Sequence, residues 1–334
     1  MILLAVGITG CAGEPKLPAR ASRWGILGDL VAYQREIERG GPFFLDRFET
    51  TWADWRIYAV AAAAEGRVVE PATPLRQDDS LPVVGVSLAE ARRFAQWRFC
   101  RLPRADEWQY AATGRGVYRY PWGEVFRGEW VNSWELGVGQ PTPVGTFESG
   151  RDEGGAYDLL GNVAEWTESL DPGWRGDGFR AVHPIAWRAA LAVPGLRGWL
   201  RSGLPAPMSM VSGALQPKPA RLVVGGHFRA RLASPTAPGD RRLSSRSGGG
   251  SRWARGTGER GDTVGLRLAT DPRSVLRALL REPTRPTAGD ARAVRAFLAR
   301  HQRMLRPALP TTLHQIGDAA TGPLAHVVTE ALAP

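Results

Sequence analysis

Two thiols and five imidazoles are the side chains of this 334-residue sequence best suited to nucleophilic, redox or transition-metal chemistry, and their spacing limits what they can do. Cys11 closes Ile8-Thr9-Gly10-Cys11 after an apolar run from Met1 to Ile8. An aliphatic residue and two small ones ahead of a cysteine have the form of a bacterial lipobox: the small residues fit the signal peptidase, and the thiol becomes the lipid anchor. The alternative is an ordinary buried thiol. Cys100 stands where a helix runs into an Arg-Leu-Pro turn, the setting of an inert buried thiol. His183, His227, His301, His314 and His326 are scattered, and no pair has the helical spacing of a metal site. Neither copper nor iron is expected. No serine nucleophile elbow, P-loop or dinucleotide fingerprint appears.

Composition narrows the partners. The net charge is +10, but Lys16 and Lys218 are the only lysines, so the charge is an arginine bias spread through a chain rich in Ala, Gly and Pro. A local excess lies between Arg221 and Arg260, with nine arginines against Asp240 and Glu259. It suits an anionic lipid, a polysaccharide or an acidic partner, or else a solvated glycine-rich loop. No nucleic-acid motif accompanies it, so nucleic acid is not an expected partner. No stretch reaches the length of a transmembrane helix.

The elements that must position any site are short. Forty glycines and 26 prolines demand long turns, and thirteen tryptophans supply burial while each keeps an N–H for a hydrogen bond. Residues 12–41 read as a linker after the signal segment 1–11, with helical character around Leu27 to Ile37. A domain then opens with an apolar strand, Phe43 to Phe48, and a helix carrying Trp52, Trp55 and Tyr58 inward. Val83 to Val86 reads as a short strand. Ser87 and Glu90 form a capping box for a helix bearing Ala91, Phe94, Ala95 and Trp97, and Asp106 to Ala112 is a second short helix. From Gly114 to Gly161 turns dominate. Residues 171–220, with Trp174, Trp187 and Trp199, read as a surface insertion. After Asp271 the chain turns helical: Asp271-Pro272 caps a helix with Val275, Leu276, Leu279 and Leu280 on one face. Val294, Phe297 and Leu298 mark a second helix, and Leu324, Val327, Val328 and Leu332 a third. Each is too short to stand alone and must pack on the domain, on the others or on a partner.

Through the middle of the chain runs an ordered set of signatures. They are Phe43-Phe44-Leu45-Asp46-Arg47-Phe48-Glu49-Thr50-Thr51, Arg101-Leu102-Pro103-Arg104-Ala105-Asp106-Glu107-Trp108, Tyr120-Pro121-Trp122-Gly123, Tyr157 to Trp166, Val224-Gly225-Gly226 and Gly265-Leu266-Arg267-Leu268. In this order they resemble the sulfatase-modifying-factor family, whose best-known activity is that of formylglycine-generating enzyme. The resemblance implies an α+β fold, a C-type-lectin-like variant with little regular secondary structure, over residues 42–272, and leaves 273–334 as a helical extension.

The resemblance also implies a calcium site, with side-chain oxygens from Asp158 and Glu165 and carbonyl oxygens from Gly161 and Val163. Hard Ca²⁺ favours such oxygen ligands on an irregular turn. Simple turn-capping by the two acids is the alternative. At the family's other calcium site Asn132 matches, Ser133 and Val138 offer carbonyls, and the acidic position is Leu136, with Glu135 beside it. Formylglycine-generating enzyme binds copper through two cysteines after its Gly-Gly-Ser signature. By spacing, those positions fall here on Ala230 and Pro235, and the serine on His227. Neither alanine nor proline ligates copper.

The expectation is therefore a non-catalytic family module of the bacterial envelope, lipid-anchored at Cys11, binding a protein or glycan in a groove that in the family receives an extended peptide. The alternative is an enzyme with altered chemistry that uses His227, Arg229, Arg231, Arg242 and Arg246. An enzyme should converge these groups on one pocket, whereas a scaffold can fill it with Phe228.

Overall fold

The computed structural model describes residues 22–70, 78–170, 220–232, 253–256 and 260–333. Cys11, His183, Pro235, Arg242, Arg246 and the expected insertion through residue 219 lie outside them. Strands β1 (Leu30–Tyr33), β2 (Phe43–Asp46) and a later β7 (Ala269–Thr270) form one antiparallel sheet with β2 central. Helices α1 (Trp52–Ala64), α2 (Leu88–Trp97) and α3 (Ala105–Ala112) follow β2. A second sheet has the order β5-β4-β3-β6, built from β3 (Ala164–Leu170), β4 (Ala220–Val224), β5 (Trp253–Gly256) and β6 (Val264–Gly265); only β3 and β6 run parallel. Leu170 at the end of β3 pairs with Arg221 at the start of β4, so the chain leaves and re-enters the sheet at adjacent strand ends. An insertion tolerates that geometry well.

Local chemistry explains the helix starts. Thr51 and Asp54 form a capping box for α1, and Ser87 and Glu90 form the expected one for α2. Each satisfies two backbone donors that the first turn would leave open. The long stretch between α3 and β3 is built of turns, as its glycines require.

Two expectations need correction. Residues 22–41 are no linker: Leu30 to Tyr33 pair with Asp46 to Phe43, and Trp24, Ile26, Leu27 and Leu30 are buried in the core. Val83 to Val86 form no strand. The Val83 N–H donates to the Thr50 carbonyl and that of Gly85 to Gly261, so the segment is held from two sides without a ladder.

The C-terminal helices are α4 (Pro272–Arg281), α5 (Ala288–Arg300), α6 (Gln302–Leu305), α7 (Leu309–Ile316) and α8 (Ala325–Ala331). Helix α7 adds to the three helices expected after Asp271, with Pro310 as a first-turn residue. Val275, Leu276, Leu279, Phe297 and Leu298 share one core with Trp24, Phe44, Trp55 and Phe94. Burial contributes about 1.5–3 kcal/mol for each such side chain, enough to hold helices unstable alone. A second core, with Val31, Phe43, Trp108, Leu159 and Val224, lies beneath the region of interest.

Candidate functional site

The residues singled out by the signatures separate into two neighbouring regions. The first is a buried hub around Arg267, which follows β6. Its guanidinium donates through Nε and Nη2 to Glu165 Oε1 at 3.0 and 2.8 Å, through Nη1 to the Asp46 and Arg47 carbonyls at 3.0 Å each, and through Nη2 to the Tyr157 carbonyl at 2.7 Å. All the guanidinium N–H groups have work to do. Glu165, on β3, has its other oxygen 3.0 Å from Trp108 Nε1 on α3 and 3.2 Å from Arg267 Nε. Both charged side chains are fully buried. The contact ties β2, the turn at 157–158, β3 and α3 to one cation.

Two further acids crowd this centre. Glu49 accepts from the Val163 N–H at 3.0 Å and from Asn162 Nδ2 at 2.6 Å. Asp158 accepts from the Gly145 N–H at 2.7 Å. Burial pushes the Asp158 carboxyl up to about 6, and it pushes Glu49 well above the usual carboxylate range, with Asp158 and Glu165 adding repulsion. Three carboxylates face one guanidinium, so the hub has a surplus of potential negative charge.

The turn that carries the expected calcium ligands is tightly specified. Asp158, Gly161 and Asn162 all have positive φ, and a Cβ on Gly161 would lie 2.4 Å from the Asn132 carbonyl oxygen. Among the described residues no hydrogen bond reaches the carbonyl oxygens of Gly161 or Val163, and one oxygen of Asp158 is uncommitted. These three are oxygen donors of the kind a hard cation takes. Glu165 does not fit in the same way, since Arg267 and Trp108 already fill its oxygens. Among the described residues no three Asp, Glu, His or Cys side chains gather to hold a metal by themselves.

Of the other calcium set, Ser133 and Glu135 are engaged by the protein itself. The Ser133 carbonyl accepts from Leu136 and Gly137 N–H groups, and Glu135 accepts from Ser133 Oγ and the Leu232 N–H. Asn132 donates to the Gln140 carbonyl and to Asn162, which leaves its own buried oxygen unpaired.

The second region is the loop after β4. Gly226 has φ +75, and a Cβ there would stand 2.8 Å from Leu232, which confines the chain to a tight bend. His227 Nδ1 accepts from the Arg229 N–H at 3.2 Å, and the Ala230 N–H returns to the His227 carbonyl at 2.7 Å. Phe228 is 2% exposed. Arg229 pairs with Asp262 at 3.2 Å on the surface, while the Arg231 guanidinium lies 4.0 Å from the centre of the exposed Trp134 ring. Among the described residues the polar side chains of this loop reach separate neighbours, and the Phe228 ring is buried. The Trp134 N–H donates to the Ala230 carbonyl, fixing the Trp134–Arg231 pair beside the loop.

Sequence reasoning missed Arg267 and Glu49 as members of the hub. Both sit inside quoted signatures, but their partners are 102 and 113 residues away in the chain.

Comparison with known proteins places the region 23–272 within the family described as Sulfatase-modifying factor enzyme 1-like domain. The chain is similar to Inactive C-alpha-formylglycine-generating enzyme 2 of Bos taurus, with 40% identity over 111 residues that cover 30% of this chain and 36% of that protein. It is also 38% identical over 100 residues to Hercynine oxygenase of Mycolicibacterium thermoresistibile, covering 28% of this chain and 22% of the oxygenase. The matched stretches thus span well under half the length of these relatives. Among solved structures, CarF superposes with a TM-score of 0.45 at 19% identity, covering 72% of this chain and 92% of CarF.

Proposed function

The chain belongs to the sulfatase-modifying-factor family, with its α+β, C-type-lectin-like fold, and from that premise we propose that it is a non-catalytic binding or structural module of the bacterial cell envelope. The observation that carries the reading is the loop from His227 to Leu232. At the positions where the family's copper thiols are expected the sequence has Ala230 and Pro235. Phe228 is buried, and among the described residues His227, Arg229 and Arg231 turn to different partners. A catalytic centre needs such groups to converge on one reacting atom. A recognition surface does not. The exposed Trp134 ring under Arg231 offers a flat apolar face with a fixed cation beside it, suited to a protein or glycan ligand.

Two further parts belong to this proposal. The thiol of Cys11 carries lipid after cleavage before it, which places the domain outside the cytoplasmic membrane. Intact mass and detergent partitioning of protein made in its native host from its natural upstream region test this; a soluble species retaining Met1 to Gly10 would contradict it. A calcium ion is bound at the 158–165 turn by Asp158 with the Gly161 and Val163 carbonyls, and Glu165 supports it from the hub. When bound, the ion would offset the surplus negative charge and raise the melting temperature by mass action. An unchanged melting temperature on chelation would leave these residues as turn caps.

Copper(I) titration against a competing chelator tests the non-catalytic reading. The expected result is no stoichiometric uptake. Uptake that persists in Cys100→Ser would require a copper site that the sequence does not supply, and would favour an enzyme of altered chemistry.

A further inference from the structure

A cavity of about 320 Å³ opens where the end of α2 meets α4, lined by Phe99, Ser274, Arg277, Ala278, Arg281 and Glu282. The family match ends at residue 272, so one wall comes from the family domain and the other from the helix that extends it. Two independent features single this cavity out.

The first is the backbone at Phe99. Its N–H donates to the Gln96 carbonyl and that of Cys100 to Ala95, the paired bonds of a Schellman motif closing α2. The left-handed position of that motif ordinarily takes glycine, yet here Phe99 adopts φ +57. An aromatic side chain held at a conformational cost is held for its ring. That ring is half-buried, stacked on Trp24 at a centroid distance of 4.4 Å and covered by the Arg23 guanidinium at 4.1 Å.

The second is charge. Arg277 and Arg281 stand one helical turn apart on α4 and line the cavity with Glu282, whose carboxylate pairs with Arg23 at 3.4 Å. Arg23 is committed to the Trp97 carbonyl and Glu282, and Arg277 to Gln315. Arg281 makes no hydrogen bond or ion pair with any described residue. The cavity thus combines an apolar floor from Ala278 and the edge of Phe99 with a forked cation at its rim that no described residue engages, a group that matches a carboxylate bidentately.

We propose that this cavity binds a small aryl carboxylate, with the apolar body against Ala278 and the free edge of the Phe99 ring and the carboxylate on Arg281 and Arg277.

The test is calorimetric titration of the full chain with 2-naphthoate, with 2-naphthamide as its neutral counterpart. The expected result is saturable binding in the millimolar range or tighter, with the amide about tenfold weaker or worse. Arg281→Gln should weaken naphthoate about tenfold, and Ala278→Leu should abolish binding by filling the floor, both with the melting temperature of the parent protein. Equal binding of the amide overturns the proposal. So does naphthoate binding untouched by both substitutions, or no binding at 10-fold above the millimolar range. None of these outcomes bears on copper uptake or catalysis, so the inference stands or falls apart from the proposed function.

Discussion

The Arg267 hub and the 227–232 loop lie beside each other and descend from equally clear sequence signatures, but their chemistry has gone in opposite directions. In the hub, one guanidinium gathers Glu165, Trp108 and three backbone carbonyls into a closed network. In the loop, the described polar side chains His227, Arg229 and Arg231 each have their own neighbour, and Phe228 is buried. Convergence in the first region is structural, since a buried cation needs its donors satisfied. Divergence in the second, seen among the described residues from His227 to Leu232, is the observation on which the proposed non-catalytic reading rests.

The largest expected effect breaks the hub. Arg267→Met would leave Glu165 buried without its cation and take a donor from the Asp46, Arg47 and Tyr157 carbonyls, of which Arg47 keeps the Tyr157 N–H, and should destabilise the fold by about 3–5 kcal/mol, read from denaturant unfolding. A loss under 1 kcal/mol would mean that the hub is not the tie described here. Asp158→Asn sharpens the same region with the opposite sign. The Asp158 carboxyl is raised from 3.8 to about 6, so its ionisation penalty is fully present above pH 6 and is relieved as pH falls toward 3.8. Without calcium, the substitution should therefore stabilise the protein at pH 7 by on the order of 2 kcal/mol. It should also remove any stabilisation by calcium.

His301 sets the acid limit outside both regions. Burial between Phe44 and Phe297 lowers its value from 6.5 to about 4. Its contribution is whole above pH 6.5 and is lost as pH falls from there toward 4. Discounted for partial exposure, the loss should be about 1–2 kcal/mol, and His301→Gln should flatten the pH dependence of the melting temperature over that window. The smallest effect is expected in the loop. His227→Ala should change stability by less than about 0.5 kcal/mol, because its imidazole is only half-buried and bonds a neighbouring N–H.

Much of the scaffold was legible. Ser87 with Glu90, and Asp271 with Pro272, announced their helices because capping is local chemistry. Strand β1 was missed because Leu30, Val31 and Tyr33 are buried on both faces, and a short continuous apolar run has no period that separates strand from helix. At the site, the glycines and Asp158 were visible as turn chemistry. Arg267 was quoted within Gly265-Leu266-Arg267-Leu268 without a role, since nothing local tells a buried arginine from the many on this chain's surface. The divergence of His227, Arg229 and Arg231 lies in rotamers and distant partners, where a linear pattern has no reach.

The central claim is that the loop no longer performs the family's oxidation. Its direct test is incubation of the purified protein with copper, a reductant, oxygen and a peptide bearing the sulfatase cysteine motif, with mass spectrometry for the aldehyde. The account predicts unmodified cysteine with or without copper. Aldehyde formed by the protein, and still formed by Cys100→Ser, would contradict it.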